Sequence, residues 1–171
     1  MNAIKANALF DFSARASLNG WSIVDDVVMG GVSRGALRHV PDEGGFARFS
    51  GMVRLENNGG FSSIQVRFRP ADLSAQSGLH LHLRGDGKRY GIFMQSGTGP
   101  LVYQYDFATT GAGWEDVLAP FSRMLPNWYG RPVQAPPPDL AHISCISLIV
   151  PDKQAGAFTL DIARIGVYAS V

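Results

Sequence analysis

The chain has 171 residues, of which 46% are hydrophobic and 11% aromatic; this excludes disorder and predicts one domain over 1–171 with a single core. Fifteen basic against fourteen acidic side chains leave a formal charge of +1 and no basic tail, so no nucleic-acid partner is expected. No run approaches the roughly 18 apolar residues of a membrane-spanning segment, so no integral membrane segment is expected.

In chain order, Met1 to Phe12 carries one Lys and lacks the apolar core of a secretory leader, which makes the cytoplasm the default location. Ordered structure is expected over about 9–168, starting with a strand at Leu9 to Phe12. Asn19-Gly20 signals a turn, and Trp21 to Val24 leads into Asp25-Asp26-Val27-Val28-Met29-Gly30-Gly31-Val32-Ser33. That stretch has neither helical nor strand period, and its glycine pair permits a sharp turn or the close approach of another segment. Gly35 to Val40 and Phe46 to Leu55 read as a hairpin through Pro41 to Gly45.

The cleanest alternation follows. Ser62, Ile64, Val66 and Phe68 share one face of a strand, and Ser63, Gln65, Arg67 and Arg69 the other, until Pro70 ends it. Ala71 to Ser74 could form one helical turn, too short to stand alone. Leu79, Leu81 and Leu83 alternate with His80, His82 and Arg84, and Asp86-Gly87 then predicts a hairpin returning along Tyr90 to Gln95. Leu101 to Phe107 alternates again, and Trp114 to Leu118 resumes after a glycine-rich turn. The stretch Pro120 to Arg131 is aromatic and irregular. Pro136-Pro137-Pro138 is stiff extended chain, and Ile143 to Val150 reads as a central strand buried on both faces. Cys145 within it excludes an internal disulfide and reads as a small buried hydrophobe. Phe158, Leu160 and Ile162, then Ile165 and Val167, close the chain. With 20 glycines, 10 prolines and no sustained 3.6-residue period, the pattern predicts an all-β antiparallel sandwich or jelly roll.

The residues supply little catalytic chemistry. Asp25 and Asp26 have oxygen ligands for a hard cation but match no calcium loop, and carboxylates in such loops commonly cap turns. His80 and His82 share a strand face without an evident third metal ligand. Gly85-Asp86-Gly87-Lys88-Arg89 lacks the lysine-serine ending and helix of a phosphate loop. Ser33, Ser62 and Ser63 sit in no nucleophile motif, and Cys145 has no activating neighbour. No catalytic residue, metal or cofactor is expected, and the chain is read as a non-enzyme. Ser63, Gln65, Arg67 and Arg69, if in one sheet with His80, His82 and Arg84, would make a polar, partly cationic face, either a partner surface or simply solvated.

Together the blocks resemble the complex I intermediate-associated protein 30 family. The resemblance rests on Trp21 through Ser33 with Asp25-Asp26 and Gly30-Gly31-Val32-Ser33, on Phe49-Ser50-Gly51, and on Asn58-Gly59-Gly60-Phe61-Ser62-Ser63. It continues through Gly85-Asp86-Gly87 with Tyr90, Trp114 before Pro120-Phe121, Gly130-Arg131 and Phe158 to Ile165. It departs at Tyr129, where the family has the first Arg of an Arg-Gly-Arg element, and at His82, where a basic residue is common. The resemblance implies a galactose-binding-domain-like β-sandwich. It also implies a non-catalytic assembly factor whose partners are protein subunits or intermediates of respiratory NADH:ubiquinone oxidoreductase. Asp25, Asp26, Ser33, Asn58, Arg84, Asp86 and Arg131 form the candidate polar constellation, either touching a partner or fixing turns among themselves. The alternative is a carbohydrate- or small-ligand-binding module of the same fold, with Trp114, Trp128 and Tyr129 as candidate aromatics for a glycan.

Overall fold

A computed structural model describes residues 6–170; residues 1–5, read above for a leader, lie outside the described residues. The strands are β1 (Ala6–Asp11), β2 (Trp21–Asp25), β3 (Arg34–Val40), β4 (Phe46–Val53), β5 (Ser62–Ala71), β6 (Gly78–Arg84) and β7 (Arg89–Ser96). They continue with β8 (Leu101–Ala108), β9 (Glu115–Pro120), β10 (Leu125–Trp128), β11 (Arg131–Pro132), β12 (Ile143–Val150) and β13 (Gly156–Tyr168). Among the described residues the only helical backbone is in short 3-10 turns, and no helix is long and apolar enough to cross a membrane.

Two antiparallel sheets result. One has the order β3-β4-β13-β6-β9, with β1 also paired to β13; the other runs β11-β10-β8-β7-β12-β5-β2. The all-β antiparallel sandwich read from the alternation is the fold observed. Each strand turns its apolar set inward because the pleat alternates side chains. Phe49, Leu81, Leu83, Leu160 and Ile162 of one sheet thus meet Ile64, Ile92, Met94, Ile146 and Leu148 of the other, all buried. The rings of Phe49 and Phe158 pack edge to face at 4.8 Å. β12 lies between β7 and β5, as its continuous apolar run requires. A bulge between Ile162 and Arg164 inserts one residue into β13, which is why Ile162 and Ile165, three apart, both face the core.

Three local readings need correction. The Gly85–Lys88 segment is not a hairpin: β6 belongs to the six-stranded sheet and β7 to the seven-stranded one, so the Asp-Gly turn carries the chain across the sandwich. Gly85 sits so close to Thr109 that a Cβ would come within 2.3 Å of its side chain, fixing this corner by packing rather than strand pairing. For the same reason Ser63, Gln65, Arg67 and Arg69 on β5 do not share a face with His80, His82 and Arg84 on β6; they lie in different sheets. Ala71 ends β5, and Asp72 accepts the Ser74 amide at 2.9 Å in a side-chain-capped turn instead of a helical one.

Candidate functional site

The acid-glycine stretch becomes a corner where β2 leaves its sheet. Asp25 ends β2, and a 3-10 turn spans Asp26–Met29. Asp26 is fully buried, yet its carboxylate is satisfied on every side. Oδ1 accepts the Ser33 amide at 2.9 Å, and Oδ2 accepts the Ser33 hydroxyl at 2.5 Å and the amides of Gly60 and Phe61 at 2.7 and 3.3 Å. Burial pushes this carboxyl up, but the Ser33 hydroxyl and the amides of Gly60, Ser33 and Phe61 outweigh it and hold the group below the ordinary aspartate value. Ser33 in turn accepts the Arg54 amide at 2.9 Å, tying in the end of β4.

The two glycines serve different ends. Gly30 adopts φ +88° in open space and turns the chain, whereas a Cβ on Gly31 would lie 2.4 Å from the Asp26 carboxylate. Gly59, from the opposite loop, presses on the same carboxylate, with a virtual Cβ 2.5 Å from Oδ2. Asp25 works beside it with separate partners: Oδ1 accepts the Ser62 hydroxyl at 2.5 Å and Oδ2 the Gly35 amide at 3.0 Å. Asn57 donates to the Gly30 carbonyl at 3.1 Å, and Lys153 to Asn58 Oδ1 at 3.1 Å, so three loops are bound into one end of the sandwich.

The two carboxylates and their serine partners are consumed inside this corner, while the apolar side chains of its turn face out. Val28 is 74% exposed and Met29 65%, with Val27 next to them; Met52 and Leu55, on either side of the Arg54 that Ser33 ties in, are exposed as well. An exposed apolar cluster of this kind is a candidate contact surface.

Of the seven candidate residues, Asp25, Asp26 and Ser33 meet here and Asn58 borders them; the other three lie elsewhere. Arg84 stands on the outer face of the six-stranded sheet. Buried Asp161 lies in register between Arg48 on β4 and Arg84 on β6. It takes Arg48 Nε and Nη2 at 2.7 and 2.9 Å, and Arg84 Nε and Nη2 at 3.1 and 2.9 Å. The remaining Arg84 nitrogen reaches Glu43 at 3.2 Å, and the Trp114 indole N–H donates to the same Glu43 at 2.7 Å. Arg84 also lies over the Trp114 ring, 4.6 Å from its centroid. Hydrogen bonding to Asp161 raises both guanidinium pKa values, and Trp114 and then Arg84 hold Glu43 low. With all three Arg84 nitrogens and two of the three Arg48 nitrogens engaged, this face is cross-linked by its own side chains. Asp161, Arg48 and Glu43 escaped the sequence reading, although an Asp flanked by Leu160 and Ile162 in an apolar strand is a signal of a buried partner.

Asp86 caps the crossing between sheets, accepting from the Tyr90 hydroxyl at 3.0 Å and the Thr159 amide at 2.9 Å. Arg131 stands alone on β11, exposed. His80 Nε2 and His82 Nδ1 both aim at Asp116 Oδ1, at 2.8 and 3.0 Å; burial raises the Asp116 carboxyl, and the two histidine bonds more than reverse that. Among the described residues no three His, Cys, Asp or Glu side chains are placed to hold a metal ion. A depression of about 580 Å³, lined by Arg15, Leu18, Leu37, Arg38, His39 and Pro41, presents no carboxylate, thiol or hydroxyl.

Known proteins resemble this one in two ways. In fold it is similar to the family 11 carbohydrate-binding module of the cellulosomal cellulase Lic26A-Cel5E of Clostridium thermocellum, at 18% identity and TM-score 0.70, covering 98% of this chain and 97% of that one. It superposes equally on a family 11 module from the same organism in complex with a β-1,3-1,4-mixed-linked tetrasaccharide (18% identity, TM-score 0.71, 99% of each chain). A family 30 module from a C. thermocellum cellulase is more distant, at 13% identity and TM-score 0.59 over 82% of this chain and 91% of that one. At such identities the likeness establishes the β-sandwich alone. In sequence, the chain is 29% identical over 190 residues to the mouse mitochondrial complex I intermediate-associated protein 30. That alignment takes in 96% of this chain and 56% of the relative, so the chain spans a little over half of the mouse protein's length. The model of the complex I intermediate-associated protein 30 family matches residues 10–162, from β1 into β13 and across the whole acid-glycine corner. This chain belongs to the complex I intermediate-associated protein 30 family.

Proposed function

We propose that this protein is a non-catalytic holding module that grips a protein partner, a subunit or intermediate of respiratory complex I, through the corner built by Asp25 to Ser33. The observation that carries this reading is the inversion of polarity there: the Asp26 and Asp25 carboxylates are spent on the protein's own amides and hydroxyls, while Val27, Val28 and Met29 project outward. A rigid backbone displaying apolar side chains loses little conformational entropy on binding, which favours a protein contact. Family membership supports the choice of partner, since the mouse relative is named for complex I intermediates. Asp25, Asp26, Ser33 and Asn58 then act by shaping the corner rather than by touching the partner, while Arg84, Asp86 and Arg131 stand apart from it.

The carbohydrate-binding reading has weaker support, because it rests on fold and Trp114, one of its three aromatic candidates, is taken up by Arg84 and Glu43. The test is affinity capture from native cells followed by mass spectrometry, with wild-type protein and with the Val28→Asp, Met29→Asp double variant. Complex I subunits captured by the wild type and lost from the variant support the reading. Equal capture by both, or none by either, refutes it.

A further inference from the structure

The hairpin β10–β11 carries a second exposed cluster, at the end of the sandwich opposite the Asp26 corner: Trp128 pairs with Leu101 at the start of β8, whereas Asp25 pairs with Ser62 at the start of β5, level with the far end of β8. Trp128 and Arg131 pair across a two-residue loop, Tyr129-Gly130, in which both central residues have positive φ, 47° and 78°. This is the type I′ pattern, where Asn-Gly or Asp-Gly is the favoured pair. A bulky residue at its first position is held in a backbone region that it rarely adopts. Tyr129 gains little from burial in return, since it is 80% exposed, its ring edge-on to Trp128 with centroids 6.3 Å apart. Folding therefore does not account for a tyrosine at this tip.

We propose that this hairpin is a peripheral anchor for the interface of an anionic lipid bilayer. Its exposed side chains are Leu125, Trp128, Tyr129 and Val133, backed by Arg131. Leu125 and Trp128 are three residues apart on one strand and so point to opposite faces. A flat protein surface would cover one of these faces, whereas a bilayer interface surrounds the whole tip. Trp and Tyr favour the headgroup level, where the ring is apolar and the N–H or O–H stays wet. The charge is complementary: residues 121–138 contain Arg123 and Arg131 and no Asp or Glu, and among the described residues Arg131 makes no ion pair. So small an apolar tip gives weak, reversible binding that depends on anionic headgroups and fades with salt.

The experiment is vesicle sedimentation with the full chain, using phosphatidylcholine vesicles with and without phosphatidylglycerol, alongside tryptophan emission. Trp21 packs against Phe10 and Phe12, and Trp114 lies under Arg84, so a blue shift on vesicle addition reports Trp128. Binding is expected only with phosphatidylglycerol present. Tyr129→Asn installs the favoured turn pair, so its thermal midpoint is expected to equal or exceed wild type while vesicle affinity falls about tenfold. Arg131→Gln is expected to weaken binding to the phosphatidylglycerol vesicles, and Val28→Asp with Met29→Asp to bind vesicles as wild type does, which separates this anchor from the Asp26 corner. No binding to either vesicle, undiminished binding by Tyr129→Asn, or a Trp128 shift elicited instead by a soluble glycan or a captured protein subunit would overturn the proposal.

Discussion

The Ser33 hydroxyl donates to Asp26 Oδ2 at 2.5 Å while the Ser33 amide donates to Oδ1 at 2.9 Å, so one residue grips both oxygens of a carboxylate seven positions earlier. Gly60 and Phe61 complete the cradle from another loop. Removing the negative charge should therefore be costly. Asp26→Asn puts an amide N–H₂ against N–H donors, and the expected loss is about 3–4 kcal/mol at neutral pH, measured by urea unfolding. The sign of the pH dependence follows from the lowered folded pKa. The stabilisation is present above the unfolded value of about 3.9 and is lost as pH falls through the lower folded value. The gap between wild type and Asp26→Asn should shrink over that acidic window and not above it.

The glycine pair separates two reasons for glycine. Gly31→Ala and Gly59→Ala drive a Cβ into the Asp26 carboxylate and should each cost about 2–4 kcal/mol, because a buried charged group cannot move aside freely. Gly30→Ala meets open space and bears only the left-handed backbone, at about 1–2 kcal/mol. Thermal or urea unfolding of the three variants should rank them in that order.

In the six-stranded sheet, Asp161→Ala removes the carboxylate that two guanidinium groups share, leaving Arg84 only Glu43, and should destabilise by about 3–5 kcal/mol. Arg48→Ala leaves Asp161 still held by Arg84 at 2.9 Å, and its cost should be clearly smaller. Equal losses in unfolding experiments would mean that the two arginines do not share the carboxylate.

Strands and their inward faces were legible because alternation is written locally, one residue at a time. Sheet membership was not. Asp86-Gly87 announces a turn whether or not the flanking strands pair, and here β6 and β7 part company. The Arg48–Asp161 pair spans 113 positions, which no spacing motif reveals. At the corner, Asp25-Asp26 and Gly30-Gly31 marked the right stretch, yet Val27-Val28-Met29 gave no hint of its exposure. An apolar triplet ordinarily supplies core, and only the 3-10 turn around buried Asp26 turns it outward.

A partner that docks on the corner should tolerate loss of its apolar tip without loss of fold. Val28→Asp and Met29→Asp replace exposed side chains, so the double variant should unfold within about 0.5 kcal/mol of wild type. A larger drop would show that the triplet serves folding after all.

The most direct measurement is site-specific photocrosslinking in native cells, with the photoreactive residue at position 28 and, for comparison, at exposed position 38 on the six-stranded sheet. Crosslinks from position 28 to a subunit or intermediate of respiratory complex I, with none from position 38, are the predicted result. Crosslinks from position 38 alone, or none to any such protein from position 28, would contradict the account.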